Sequence, residues 1–189
     1  MQQDTIHCLT GQFLIAMPTL ADPNFSQTVT YICQHSEEGA LGIVISRPMD
    51  MVLGEILASM KIEIARREVA EIPVYFGGPV QPERGFVLHS PLGEWQGTLA
   101  VDEDIGLTTS RDVLEAIAAG EGPEKFLVAL GYAGWGRGQL EQEMMDNAWL
   151  NVPADPEILF DLPPSRRWKA AASRLGIDLD LLSSQAGHG

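Results

Sequence analysis

Basic residues are scarce in this chain. Among 189 residues there are 12 Lys and Arg against 26 Asp and Glu, a formal net charge of −14. Generic nucleic-acid binding draws most of its affinity from cationic side chains that neutralise phosphates. The charge balance therefore argues against direct, generic nucleic-acid binding and against anionic lipid surfaces. Cysteine is scarce too: Cys8 and Cys33 are the two present, with no C-x-x-C pair. Isolated cysteines predict reduced, mostly buried thiols and a cytoplasmic location, not a disulfide framework. Long apolar runs are missing. Residues 126–130 form one of the longest, far short of the ~20 needed to span a bilayer, so no membrane association is expected. The opening residues Met1-Gln2-Gln3-Asp4-Thr5 place no basic stretch ahead of an apolar run and do not read as a signal peptide.

Several chemical signatures are missing as well. The chain has no H-E-x-x-H, no G-x-x-x-x-G-K-[ST], no G-x-G-x-x-G and no G-x-S-x-G. No metal and no cofactor is predicted. The acidic run Asp102-Glu103-Asp104 lacks the spacing of a calcium loop and reads as a solvated loop. Ser90 beside His89 is a poor hydrolytic pair, because neighbouring strand residues point to opposite faces.

What is present is an ordinary globular composition, 45% hydrophobic and 20% charged. At this length roughly 70% of the unfolded surface can be buried, enough for a core without staples. Residues 1–182 read as one domain and 183–189 as a small, polar, flexible tail. Residues 13–17 read as a strand ended by Pro18. Residues 28–35 and 41–45 read as an antiparallel hairpin around a polar turn. Val52, Leu53, Ile56, Leu57 and Met60 make a helical stripe. Strands are predicted at 74–76, 86–89 and 98–101. Ser110 is a candidate cap for a helix that Gly120 ends. Residues 126–129 form the most apolar strand, which places it centrally. A glycine-rich turn over 131–138 is predicted to open a helix over 139–149. Residues 158–160 read as an edge strand. A last helix over 165–175 turns Trp168, Ala171, Ala172 and Leu175 inward and Arg166, Arg167 and Arg174 outward. Runs of strands broken by single helices predict an α+β fold with a largely antiparallel sheet.

Two glycine-rich segments are candidate ligand contacts. One is Gly77-Gly78-Pro79-Val80, after a predicted strand. The other is Gly134-Trp135-Gly136-Arg137, ahead of the helix at 139–149. Glycines let backbone N–H groups approach a ligand, and a helix N-terminus carries about half a positive charge. Arg137 adds a full charge, which suits a small anionic ligand. Glu141 and Asn147 flank the apolar stripe of Leu140, Met144 and Ala148, where a cleft wall would stand. Structural roles compete at every position. Glycines permit tight turns, an acid in a first turn complements the helix dipole, and Asn147 suits a backbone bond in the last turn. Arg47 is a candidate carboxylate binder. His35 beside a turn, His89 at a strand end, and His7 and His188 near the termini have no metal-ligand spacing.

Several segments together resemble the AlgH/YqgE family of bacterial proteins. They are Leu9-Thr10-Gly11-Gln12-Phe13-Leu14-Ile15-Ala16, Glu38-Gly39-Ala40-Leu41-Gly42, Gly77-Gly78-Pro79-Val80, Gly85-Phe86-Val87-Leu88-His89, Gly131-Tyr132-Ala133-Gly134-Trp135 and Gly138-Gln139-Leu140-Glu141, with Asn147-Ala148-Trp149 beyond. Their order and spacing cover residues 5–177. Ser36, Ser46 and Arg137 depart from the family's usual residues. The resemblance implies a cytosolic bacterial protein with a split, partly barrel-like sheet flanked by helices. It implies no established activity and no catalytic set. The family's label as a transcriptional regulator rests on genetics in alginate-producing bacteria, and no helix-turn-helix is expected of it.

The functional expectation is a non-enzymatic binding or regulatory domain, contacting an unknown protein or small anionic ligand through Gly77–Val80, the 134–138 turn, Glu141 and Asn147. It requires the two glycine-rich segments to share one recess. The rival is an enzyme acting on an anionic substrate at Arg137, with Glu141 or His89 as acid–base. That rival requires the three side chains to converge. A third reading is gene regulation through a DNA-binding partner.

Overall fold

A computed structural model describes residues 8–186. The chain begins with β1 (Gln12–Ala16), β2 (Val29–Ser36), β3 (Gly39–Val44) and β4 (Pro48–Val52). Two helices follow, α1 (Leu53–Ser59) and the short α2 (Arg67–Ala70). Next come β5 (Pro73–Phe76), β6 (Val80–Ser90), β7 (Thr98–Ala100) and β8 (Gly106–Thr108). The rest is α3 (Arg111–Ala119), β9 (Lys125–Trp135), α4 (Gln139–Met145), β10 (Trp149–Pro153), a π-helical turn (Glu157–Asp161), α5 (Pro164–Ser173) and α6 (Leu179–Ala186). The last helix includes residues 183–186 of the stretch read as a tail, and 187–189 lie outside the described residues.

The strands form one curled, split, half-barrel sheet in the order β10-β1-β2-β3-β9-β6-β8-β7. The fold is α+β and mostly antiparallel. Among the described residues the one parallel pairing joins β5 to β9 at Tyr75↔Ala129 and Phe76↔Leu130. The long strand β9 belongs to both halves of the split. Residues 125–132 pair with β6 along one edge, from Ser90↔Lys125 to Val80↔Tyr132. The other edge is shared by β5 and, further on, by β3 at Gly42↔Ala133 and Ala40↔Trp135. Both faces of β9 are covered here, Leu127 and Ala129 by one core and Val128 by another, so all three are buried.

The main core fills the curl of the sheet, with Phe13, Tyr31, Ile43, Phe86 and Leu127 packed against Trp168 and Ala171 of α5. A second core lies under α1 and α3, and a third packs Trp135 and Trp149 against Leu140 of α4.

Five local readings are corrected. Residues 131–135 continue β9 instead of starting a turn. Ala133 and Trp135 are buried while Gly134 is exposed, the two-residue alternation of a strand with one face packed. The turn is confined to Gly136–Gly138. Second, α4 stops at Met145. Asn147 has φ +58, and its N–H reaches the Met144 carbonyl at 3.1 Å while Ala148 N–H reaches Glu143 at 3.0 Å. That bond pair is a left-handed helix stop, for which Asn is suited. Third, residues 158–160 lie in a π-helical turn, because the Asp155 carboxylate accepts the Glu157 N–H at 2.9 Å and starts a helical bend. Fourth, Arg167 is 3% exposed although its helix was read as presenting it outward. Its guanidinium donates to the carbonyls of Ile45 at 2.6 Å and Leu162 at 3.0 Å and stands 5.2 Å over the Tyr75 ring. Leu175, read as inward, is 41% exposed.

Ser110 does occupy the N-cap of α3, yet its single hydroxyl proton is shared between Gln96 O and the Asp112 carboxylate. Asp112 in turn accepts the Gln96 N–H at 2.8 Å, so this cap ties a loop to the helix.

Candidate functional site

The two glycine-rich segments meet, and what joins them is backbone packing. The three residues between β5 and β6 carry the chain from one edge of β9 to the other. They cross it at Gly131–Ala133. A Cβ on Gly77 would stand 2.4 Å from the Gly131 carbonyl oxygen, and one on Gly78 only 2.0 Å from the Tyr132 carbonyl carbon. Gly131, at φ +76, is equally closed, its Cβ position 2.2 Å from Gly78 O. Gly77 is committed at both its polar groups: its N–H bonds Leu130 O at 2.8 Å, and its carbonyl accepts Val44 N–H at 2.8 Å. The expected recess between these segments is filled by main chain. Gly77 and Gly78 are buried and Pro79 is exposed at the crossing.

The remaining predicted residues sit at the far end of β9. The Gly136–Gly138 turn is exposed, but Gly136 N–H already donates to Gln139 Oε1 at 3.0 Å. Arg137 is exposed and makes no hydrogen bond or ion pair among the described residues. Glu141 turns away from the turn and accepts from His35 Nε2 at 2.5 Å. His35 Nδ1 accepts the Leu9 N–H at 2.9 Å, which leaves the ring proton on Nε2. Burial pushes the Glu141 carboxyl up, but the bonds from His35 and from its own backbone N–H hold it below its ordinary value. The Thr10 hydroxyl accepts His35 N–H at 3.0 Å, so the dyad fastens the approach to β1 onto β2 and α4.

Beside it lies a second carboxylate that the sequence reading missed. Glu143 Oε1 accepts both indole N–H groups, Trp149 at 3.0 Å and Trp135 at 3.2 Å. Phe25 completes an aromatic cluster, 5.5 Å from Trp149 between ring centres. The signal available in sequence was weak: Gln139 and Glu143 are one helical turn apart and share a bond at 3.0 Å.

His89 is elsewhere. It pairs across from Phe126 at the start of β9, whereas Arg137 and Glu141 follow its end. Nine residues of strand separate the two places by roughly 30 Å. The His89 ring is fully buried, with Nδ1 donating to Pro91 O at 3.0 Å and Nε2 accepting from the Thr108 hydroxyl at 2.6 Å. Desolvation lowers its pKa, opposed by the Pro91 carbonyl. The three side chains of the enzymatic reading therefore do not converge. Arg47 is committed as well, donating to the carbonyls of Pro23 and Ser26 at 2.5 and 2.7 Å. Cys33 is buried as read and Cys8 is exposed; both thiols are free. His7 and His188 lie outside the described residues.

One opening does adjoin the predicted surface. A groove of about 500 Å³ runs along the face of the sheet opposite α4. Leu41, Val80 and Tyr132 form its apolar floor, Gly134 and Trp135 its end wall, and Gln34, Ser36 and Glu38 its polar rim. Its lining carries one carboxylate, Glu38, and no basic side chain. Among the described residues no cluster of His, Cys, Asp or Glu is arranged to hold a metal ion. No helix among them is long and apolar enough to cross a membrane.

The AlgH-like protein family matches residues 13–180. This chain belongs to the AlgH family. A UPF0301 protein of Thioalkalivibrio sulfidiphilus is 63% identical over 179 residues, spanning 95% of this chain and 96% of that one. A UPF0301 protein of Methylococcus capsulatus is 58% identical over 181 residues, 96% of each chain. The solution structure of the AlgH protein from Pseudomonas aeruginosa superposes with a TM-score of 0.81 at 55% identity over the full length of both chains. Protein DIP2367 from Corynebacterium diphtheriae, 21% identical, shares the fold with a TM-score of 0.71 over 92% of this chain and 90% of its own. In this AlgH-family chain the segments 77–80, 131–135, 38–42 and 138–141 fall at the crossing, the groove and the carboxylate pairings on α4, while Gly85–His89 lies on β6 outside all three.

Proposed function

We propose that this chain is a non-enzymatic binding domain that acts on a protein partner through the groove at the end of β9. The observation that carries this reading is the groove itself: an apolar floor of Leu41, Val80 and Tyr132 under a hydrogen-bonding rim. The lining as a whole exposes more polar than apolar surface, which suits a peptide segment that hydrogen-bonds along the rim while covering those three side chains. Glu38 on the rim and the net charge of −14 favour a neutral or basic segment over an anionic ligand. Any regulatory role would then run through that partner, since the charge disfavours direct contact with DNA. The free thiols support a reducing compartment, the cytoplasm. The enzymatic alternative has lost its acid–base group, because Glu141 is engaged with His35 and His89 is distant.

The test is selection of short peptides from a random display library against the intact chain. Binding by selected peptides should fall at least roughly ten-fold in Gly134→Trp and in Leu41→Arg. A Cβ on Gly134 would stand 3.3 Å from the Tyr132 ring, so that ring must give by a few tenths of an ångström, and a thermal melt checks that the variant folds. Peptides that bind both variants as well as the parent, or a library that yields no binder, overturn the reading.

A further inference from the structure

A different cavity, sharing no lining residue with that groove, lies between α1, α3 and β6. It encloses about 460 Å³. Ile56 of α1, Met60 just past its end, Leu114 of α3 and Leu130 of β9 make it apolar, and Glu55, Glu83 and Arg111 stand at its margin. We infer that it is a second binding site, for an uncharged amphiphilic small molecule.

Three observations carry this. The first is space kept open by glycine. Residues 81–84 leave the β6–β9 ladder between Val80 and Gly85, and the chain re-enters it at Gly85, on the cavity wall. A Cβ there would meet nothing within 4 Å, and the backbone is not in the left-handed region. Neither turn geometry nor close packing requires glycine at this point, in contrast to Gly77 and Gly78. What glycine does here is leave the cavity unfilled. The second is size. The volume falls within the roughly 300–1,000 Å³ of small-molecule sites, and a thioether side chain on the wall adapts to ligand shape.

The third is charge. Glu55, Glu83 and Arg111 bring charge to the rim, and their commitments differ. Glu55 accepts the Val52 N–H at 2.9 Å, and Arg111 pairs with Glu115 at 2.6 Å. Arg84 carries its guanidinium to the other face of β6, 5.5 Å over the Phe86 ring, with one long bond of 3.3 Å to Gln81. The rim thus offers no unpaired cation. An anion would face Glu55 and Glu83, and a cation would lose its hydration over the apolar wall. An uncharged polar head meets neither cost, while its apolar body covers Ile56, Met60 and Leu114.

Nile red, a neutral amphiphilic dye, is the probe. Titrated into the intact chain, it should show saturable binding to one site, with affinity lowered at least roughly ten-fold in Gly85→Trp, which fills the cavity. Ser59→Trp, at the cavity edge on an exposed stretch of α1, should weaken it in the same direction without touching β6. Thermal melts confirm that each variant folds. Gly134→Trp, in the other groove, should leave dye binding unchanged, so the two sites stand or fall separately. Anilinonaphthalene sulfonate, an anion of similar bulk, should bind this site at least roughly ten-fold more weakly. Non-saturable dye uptake, binding equal to the parent in both tryptophan variants at the cavity, loss caused by Gly134→Trp alone, or tighter binding of the anion would each overturn the proposal.

Discussion

Where the chain crosses β9, a Cβ on Gly78 would stand 2.0 Å from the Tyr132 carbonyl carbon; just beyond the end of β9, a Cβ on Gly138 would meet nothing within 4 Å. Both are glycines beside the same strand, and both have positive φ. At the crossing, two backbones lie so close that no other residue fits. At the turn, space is ample and only the local conformation favours glycine. The first is a packing requirement set by three strands at once, and the second a property of one short turn. Glycine-rich segments therefore do not mark a ligand site merely by holding glycine. The crossing is closed main chain, and the openings lie beside it, at the groove and at Gly85.

The largest effect should come from testing this contrast directly. Gly78→Ala must displace main chain of β9 and should cost at least about 3 kcal/mol or abolish folding. Gly138→Ala pays only for an alanine in the left-handed region and should cost about 1 kcal/mol. Urea unfolding of the two variants measures both, and equal costs would break the comparison. A smaller effect is expected at the end of β9. Glu143→Ala strips the acceptor from two buried indole N–H groups and should lose about 2 kcal/mol, with a shift in tryptophan emission that Glu143→Gln partly spares. The smallest concerns acid. The folded pKa of Glu141 is depressed, so its contribution is present above the unfolded value of about 4.3 and is lost as pH falls through the folded value. The group is partly exposed, so the contribution should stay below about 1 kcal/mol. Glu141→Gln should flatten the acid limb of the stability curve below pH ~4 relative to the parent, and an unchanged limb would show that the His35 pairing adds nothing.

Much of the local structure is legible in the residue order. The hairpin of β2 and β3 follows from two β-rich runs around a polar turn. The stripe from Leu53 to Met60 marks α1, and Ser110 and Gly120 bracket α3. Other elements have little local signal. Strands β4 and β8 are short and are held by partners, Tyr75 and Pro73 for β4, Val87 to His89 for β8. The candidate site was legible only in part. Gly134 and Trp135 do line a groove, but Leu41, and Gln34 beside it, reach it through the pairing of β3 with β9 across more than ninety residues of chain. Arg167 illustrates the same limit at one side chain. Its helix periodicity was readable, yet whether its outer neighbour would be water or the carbonyl of Ile45 depends on where the helix docks.

Residue order alone settles what depends on near neighbours: the hairpin of β2 and β3, the helical stripe of α1, the Ser110 and Gly120 ends of α3, the acidic charge, and family membership through widely spaced short segments. Tertiary structure alone decides what depends on distant chain meeting in space. It turns Gly77 and Gly78 into a crossing, joins Glu141 to His35, and sends His89 to the opposite end of β9. The physical reason is range. Backbone conformation and side-chain periodicity act over a few residues, whereas strand pairing and close packing join residues whose proximity no local pattern encodes.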